Sequence, residues 1–460
     1  MIESFRNILS IPELRKRLMF TFGLLAVYRV GCNIPTPGVD PAALQEFMAT
    51  LEGTLLGFFN TFTGGSLSRV AVFTLGIMPY ITASIILQLL TVVVPYLEKL
   101  SKEGEMGRKK ITQLTRYGTI VISVVQSTGI SLFLERQTTP GGGVLVPSPG
   151  WGFRLMTILT LTTGCAFVMW LGEQISERGV GNGISLVIFS GIVVGLPGAI
   201  FDTLNNVRTG NMNIITLIVL GLFMLVVMGF IVLMERAQRR VPVQYAKRVV
   251  GRKVYGGQNT YLPLRVNTAG VIPVIFASSV VMIPSTIAGM FQNEWLQTIA
   301  TYISWGQPIY YLLYITAIIF FCYFYVSIIF NPADTAENMR KYGGFIPGIR
   351  SGRRTAEYID RILTRLTLVG AVYLASVSVL PEFLLAGVRV GGIPWIGATL
   401  DAALPAWVTQ GMGINFYFGG TSLLIVVGVA MDTVQQVESQ LVMRNYDGFM
   451  KKGRIRGRRG

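Results

Sequence analysis

Histidine is missing from all 460 residues, which removes imidazole acid–base chemistry and histidine metal sites. Cysteine is almost missing. Cys32, Cys165 and Cys322 stand singly in apolar stretches with no C-x-x-C pair, so neither a disulfide framework nor a thiolate cluster is expected. Charge is scarce too, at 13% of residues, against about 25% in soluble domains. A GxxxxGK[ST] phosphate loop is not found. The glycine-rich Gly179–Gly183 (GVGNG) lacks the lysine and a preceding strand, so the chain is not expected to hydrolyse nucleotide or to act as an enzyme, and no cofactor is implied.

What fills the chain is apolar: 51% hydrophobic residues and a mean hydropathy of +0.55. Uncharged runs of spanning length recur, which predicts an all-α polytopic membrane protein. Ten spans are expected, at about residues 18–34, 73–94, 117–134, 153–171, 184–203, 213–234, 268–290, 310–330, 366–386 and 416–437. Residues 1–17 precede them as a polar segment with one apolar face (Phe5, Ile8, Leu9, Leu14), an interfacial helix or a flexible arm. The first span follows a basic cluster as a signal peptide would, but no small-residue cleavage site follows it, and it is read as retained.

Basic residues orient the spans. Lys and Arg number 4 before the first span, 6 in 95–116, 1 in 172–183, 8 in 235–267, 7 in 331–365 and 7 after 437, or 33 of the 39. The alternate segments hold only Arg69, Arg136, Arg154, Arg208 and Arg389, and Arg29 lies inside the first span. The positive-inside rule then puts both termini in the cytosol, a parity that ten spans satisfy. The net charge of +16 is compatible with nucleic acid, anionic lipid or membrane topology as its origin, and its distribution is what bears on the choice.

The stretch from Asn60 to Val94 is unusual. Gly64-Gly65 breaks the chain, and Ser66 or Ser68 is placed to cap a short helix carrying Arg69 just before the second span. So short a helix does not cross a bilayer, and its arginine is costly against lipid. It belongs in water or in a protein-lined cavity: either a surface helix on a loop or a mobile stopper in a water-filled funnel.

Two cytosolic segments exceed what connection requires. In 235–267, valine and tyrosine alternate with polar and basic residues, among them Arg239, Arg240, Lys247, Arg248 and Arg252, around Gly256-Gly257; this predicts a β-hairpin or a stiff projecting loop. Residues 331–365 carry a glycine-proline turn at Phe345–Gly348 followed by Arg350. Topology explains the sign of these charges but not the length of the loops, which favours docking platforms for a large partner. A ribosome would present phosphates to them, and a soluble motor an acidic or polar surface.

Carboxylates are nearly missing from the spans: Asp432 lies near the cytosolic end of the last and Glu382 near the outer end of the ninth. An ion-coupled transporter usually holds one at mid-membrane, which counts against a secondary transporter of a small solute, although backbone carbonyls also make sodium sites. A repeated channel-type filter sequence is not evident. Gln88, Gln126 and Asn267 are polar residues within spans, suited to interhelical hydrogen bonds or to a seam that opens. Ile77 with Ile81, and Ile184 with Ile188, share helical faces. For any single isoleucine, lipid or packing contacts are the better account from periodicity.

Over Leu14 to Tyr446 the residues resemble the SecY family, the central subunit of the bacterial protein-translocating channel. The strongest matches are Gly64–Ser68 with Gly76–Tyr80 (GIMPY), Glu105–Tyr117, Trp170–Ser185 (WLGEQISERGVGNGIS), Glu235–Arg240, Gly270–Ser279, Pro347–Arg350 and Phe416–Leu424 (FYFGGTSLL). The resemblance implies two inverted five-helix halves, 18–203 and 213–437, with a hinge at 204–212 and a basic tail at 438–460, forming a clamshell around an hourglass pore. It implies a constriction made by Ile77, Ile81, Ile184, Ile188, Ile275 and Ile425. Phe62–Val72 would be the plug beneath it, including Phe62, Gly64, Gly65, Ser66, Leu67, Ser68 and Arg69. Gln88, Gln126 and Asn267 would line a lateral gate between helices 2 and 3 and helices 7 and 8. Arg252 and Arg350 match cytosolic positions used for the ribosome or the motor. The implied partners are the small subunits SecE and SecG, the SecA motor ATPase, the ribosome, signal sequences, unfolded secretory chains and anionic lipids, in the bacterial inner membrane. A signal sequence gains about 0.3–0.6 kcal/mol per leucine on insertion, so several leucines outweigh gate bonds of about 1 kcal/mol each. One departure is a longer outer segment at 387–415, which leaves open whether Trp395–Val408 lies on the membrane surface.

Overall fold

The computed structural model describes residues 11–50, 60, 63–137, 143–210, 213–245, 248–250, 253–255, 259–290, 295, 298, 301–304, 306–387 and 420–452. Phe62, Lys247, Arg252 and nearly all of 387–415 lie outside these residues, including Trp395–Val408.

The chain is helical, and ten of its helices fall on the ten expected spans. They are α1 (Pro12–Gly31), α3 (Met78–Val93), α5 (Glu105–Arg136), α6 (Trp151–Arg178), α7 (Gly183–Arg208), α8 (Ile214–Arg236), α9 (Ile272–Met290), α10 (Pro308–Ile329), α12 (Arg353–Ala386) and α13 (Gly420–Lys452). Shorter helices are α2 (Pro41–Thr50), α4 (Pro95–Lys102) and α11 (Pro332–Lys341). Among the described residues seven helices are each long and apolar enough to cross a bilayer, and α3 with α4 makes an eighth candidate, bent by 99°. Pro95 causes that bend: it has no N–H to continue α3, and Val94 before it is extended at ψ 114°.

Two boundaries differ from expectation. Residues 12–17 are not a separate interfacial helix; they are the first turns of α1, which begins at Pro12 and runs through the first span. The second span starts late, at Met78 rather than Phe73. Glycine explains the delay, since Gly64, Gly65 and Gly76 adopt φ of +67°, +83° and +53°. The left-handed backbone breaks up helix propagation, although Val70–Phe73 is an apolar run.

The chain divides into two compact units. The first comprises Met1–Leu204, Ile283–Ala300 and Val429–Gly460. Within it α5 packs through a stripe of small residues at four-residue spacing, Thr115, Thr119, Ser123, Ser127 and Ser131, all buried. Each hydroxyl donates to a carbonyl of its own helix. Small side chains permit the close approach that membrane helices use in place of a hydrophobic drive. Leu75 of the pre-α3 turn and Leu161 and Cys165 of α6 fill the adjoining core.

The second unit comprises Asn205–Met282 and Thr301–Gly428. Its helices cross closely at glycines: a β-carbon built on Gly420 would lie 2.0 Å from the Val377 carbonyl oxygen. Outside the membrane-spanning parts it carries β1 (Gln238–Tyr245), β2 (Arg248–Val250), β3 (Lys253–Tyr255), β4 (Asn259–Arg265) and β5 (Gly344–Phe345). β1 and β4 pair antiparallel from Gln238 opposite Arg265 to Gln244 opposite Asn259, with the β2–β3 ribbon between them in sequence. This is the hairpin the valine and tyrosine alternation predicts. The unexpected part is β5, which pairs with β1 at Gln244–Phe345 and Tyr245–Gly344. The two long basic segments therefore build one sheet, in the order β4-β1-β5.

Candidate functional site

Two of the candidate constriction residues meet on a glycine. A β-carbon on Gly172 would be 3.5 Å from both the Ile77 Cδ1 and the Ile184 Cγ1. The motif WLGEQISERGVGNGIS arranges this. Ser176 Oγ donates to the Gly172 carbonyl and accepts from the Gly183 N–H, both at 2.9 Å, so the end of α6 ties the start of α7. Gly181 turns the chain at φ +89°, and Asn182 Oδ1 accepts from the Ile184 N–H at 3.1 Å. Val180 N–H reaches Thr21 of α1 at 3.1 Å. Ile81 and Ile188 follow one turn further along α3 and α7, both buried.

In the second unit, the other two candidates flank a second close approach. A β-carbon on Gly428 of α13 would lie 2.4 Å from Val271 Cγ1, just ahead of α9. Ile275 is one turn after Val271 and Ile425 one turn before Gly428, and both are buried. Ser278 and Ser279 donate back to the Ile275 carbonyl at 2.9 and 2.8 Å. In the first unit two isoleucines thus meet on a glycine, and in the second Ile275 and Ile425 stand one turn from a valine–glycine contact.

Before α3 the stopper candidate folds as a compact knot. Leu67–Arg69 is a single 3-10 turn, and neither serine caps it: Ser66 Oγ donates to the Thr63 carbonyl at 2.8 Å and Ser68 Oγ to the Gly65 carbonyl at 2.7 Å. A short serine side chain finds these turn carbonyls nearer than any orphan helix N–H. Val70 takes a left-handed φ of +39°, a strained choice for a β-branched residue. Arg69 is exposed and bonds Asn33. The strand-like bridge Pro35–Ala71 is flanked by Thr36 N–H to Val70 O and Val72 N–H to Ile34 O, each 2.9 Å.

The polar span residues are distributed as follows. Gln88 Nε2 donates to Ser84 Oγ at 3.3 Å within α3, and its buried Oε1 has no partner among the described residues. Gln126 is half-buried on α5. Asn267 donates to Glu235 Oε1 at 2.6 Å and to the Gly270 carbonyl at 3.2 Å, tying the end of α8 to the turn before α9.

The sheet and helices α11 and α12 share a core of Val241, Val243, Leu264, Met339, Ile346, Ile359 and Leu363. Arg239 and Arg240 on β1 and Arg350 after the Gly348 turn are exposed. Thr355 Oγ1 holds the Arg350 carbonyl at 3.1 Å. Arg248 opens β2 opposite Tyr255.

Arg29 is the residue that sequence reading placed but did not use. Its guanidinium donates to Gly64 O at 3.2 Å, Gly191 O at 3.2 Å, Ser190 Oγ at 3.3 Å and also Ser190 O. The signal was available: a cation inside a span is costly unless it serves a polar site.

The family model of SecY matches residues 71–434, and the protein translocase subunit SecY of Escherichia coli (strain K12) is 49% identical over 452 residues, covering 97% of this chain and 96% of that one. The chain belongs to the SecY family. Solved structures agree on the fold. A protein-conducting channel aligns with TM-score 0.63 at 19% identity, over 93% of this chain and 92% of that one. Sec61 in the canine ribosome–channel complex from the endoplasmic reticulum aligns with TM-score 0.58 at 18% identity, over 93% and 92%. The protein is therefore a multi-pass membrane protein of the translocase type.

Proposed function

We propose that this chain forms the conduit through which unfolded secretory polypeptides cross the bacterial inner membrane, and from which transmembrane segments pass sideways into lipid. The observation that carries the reading is the meeting of Ile77 with Ile184 on Gly172, with Ile275 and Ile425 each one turn from the Val271–Gly428 contact, in a chain of the SecY family. On this reading these isoleucines, with Ile81 and Ile188, line one apolar waist. A branched apolar ring gives a hydrated ion no partner, yet yields by rotamer change around a passing chain. The segment 62–72 is its stopper, and Gln88, Gln126 and Asn267 belong to the lateral seam.

The chain supplies no energy and catalyses no reaction in this scheme. A motor ATPase (SecA), a ribosome or the proton-motive force drives transport, with SecE and SecG as small membrane partners and both termini in the cytosol. The joined basic sheet with exposed Arg239, Arg240 and Arg350 supports docking of a large partner, as does the ribosome-bound state of the Sec61 neighbour. Anionic lipid suits the remaining basic flanks.

Crosslinking tests the conduit. A secretory chain stalled in mid-transit should react with probes at both Ile81 and Ile275. Failure at both positions, with the chain demonstrably stalled, removes the conduit. Solute uptake coupled to an ion gradient by the purified protein alone would establish the transporter reading instead.

A further inference from the structure

Arg29 joins three parts of the first unit. It sits in the last turn of α1, and its fork reaches the Gly64 carbonyl on one side and the Ser190 and Gly191 carbonyls of α7 on the other. The guanidinium lies so close that a β-carbon on Gly64 would be 2.5 Å from a guanidinium nitrogen. Gly64 suits its φ of +67°, and a β-carbon there would displace the guanidinium from its bonds. A second link runs beside the first. Asn33 donates to the Arg29 carbonyl at 2.8 Å and accepts from Arg69 at the other end of the 3-10 turn.

The knot needs such anchors. Val70 is held left-handed and buried, a conformation that persists only where the surroundings impose it. The α7 carbonyls that Arg29 uses lie within two turns of Ile184 and Ile188. A guanidinium has no acceptor and keeps its charge, so its donors at membrane depth must be satisfied by oxygens.

We propose that Arg29 is the latch of the stopper: a positioning residue that pins Gly64 to α7, so that displacement of α7 and release of the knot are one event. The inference rests on reading 62–72 as the stopper. If α7 moves away from α1, the fork loses the Ser190 and Gly191 oxygens together, and the bond to Gly64 alone remains against a strained turn. Constriction and stopper would then open in concert.

The test uses membrane vesicles carrying the full-length chain with Cys32, Cys165 and Cys322 replaced by serine. Arg29→Gln should raise the ion leak of resting vesicles about tenfold, as expected when charge-assisted bonds holding a closed state are lost. Arg29→Lys, which keeps the charge but donates from a single nitrogen, should leak to an intermediate degree and serves if the glutamine variant does not accumulate. Adding Pro35→Cys with Ala71→Cys provides a lock across the bridge. Those residues are a non-hydrogen-bonded antiparallel pair, where a disulfide fits. Oxidation should return the Arg29→Gln leak to the unsubstituted level, and reduction should restore the leak. A wild-type seal in both Arg29 variants overturns the latch, and so does a leak that the lock does not suppress. The stopper reading is tested separately: with Arg29 intact, the oxidised lock should stop motor-driven passage of an unfolded secretory chain, and undiminished passage removes the stopper itself.

Discussion

Gly183 approaches Gly172 so closely that a β-carbon on Gly183 would stand 1.9 Å from the Gly172 carbonyl oxygen. The reverse substitution meets only ordinary contacts, Ile184 and Ile77 at 3.5 Å. Two glycines of one motif therefore differ in what they tolerate. Gly183→Ala forces α7 off α6 and should destabilise the protein by about 1–3 kcal/mol, with a rise in resting ion leak as Ile184 shifts from Ile77. Gly172→Ala should keep both stability and seal. Thermal melting in detergent with vesicle conductance distinguishes the two, and equal behaviour would mean that the hairpin does not set the isoleucines.

Ion pairs separate in the same way. Arg154 meets Glu135 at 2.7 Å, and the Glu135 side chain is only 6% exposed. Glu135 also accepts from the Gly150 N–H at 3.0 Å, closing the turn ahead of α6. Glu135→Gln leaves an arginine short of its partner and should lower the melting temperature by about 5 °C. The Lys102–Glu98 pair is exposed on both sides, where solvent screens the attraction, and Glu98→Gln should shift melting by less than about 1 °C.

Much of this architecture is legible in the residues, for identifiable reasons. Apolar run length locates the ten helices, seven or eight of which are long and apolar enough among the described residues to cross a bilayer, because such runs follow from bilayer thickness. The start of α3 is not legible: Phe73–Ile77 is as apolar as a helix, and only the backbone at Gly64, Gly65 and Gly76 shows why the chain turns there. The β1–β4 hairpin announces itself by alternation, whereas β5, two residues long, carries no period to read. Apart from the Ser190 hydroxyl, the partners of Arg29 are backbone carbonyls of Gly64, Ser190 and Gly191, which have no side-chain signature.

One core beneath two loops has a mechanical consequence. Val241 and Val243 from the first basic segment and Ile346 from the second pack with the fully buried Ile359 of α12. This cluster stands outside the spans, where apolar burial from water is the drive. Ile359→Ala should cost about 2–5 kcal/mol locally. Limited proteolysis should then cut 235–267 and 331–365 together rather than one after the other. Cleavage confined to the second segment would show that the sheet does not couple them.

Arg350 is an exposed charge whose backbone is anchored beside this core. Gly348 turns the chain at φ +82°, Thr355 holds the Arg350 carbonyl, and Ile346 and Ile349 bury the residues on its inner side. A backbone so placed costs little further ordering when a partner binds, and the side chain's attraction to an acidic or phosphate surface is screened by salt. Arg350→Glu should therefore slow motor-driven export at least about tenfold, the scale of 1.4 kcal/mol lost in a contact, while the chain still inserts and melts normally. Raising the salt should slow the native protein toward the variant and affect the variant less. Export at the native rate in Arg350→Glu, at low salt, would remove this residue from the docking surface.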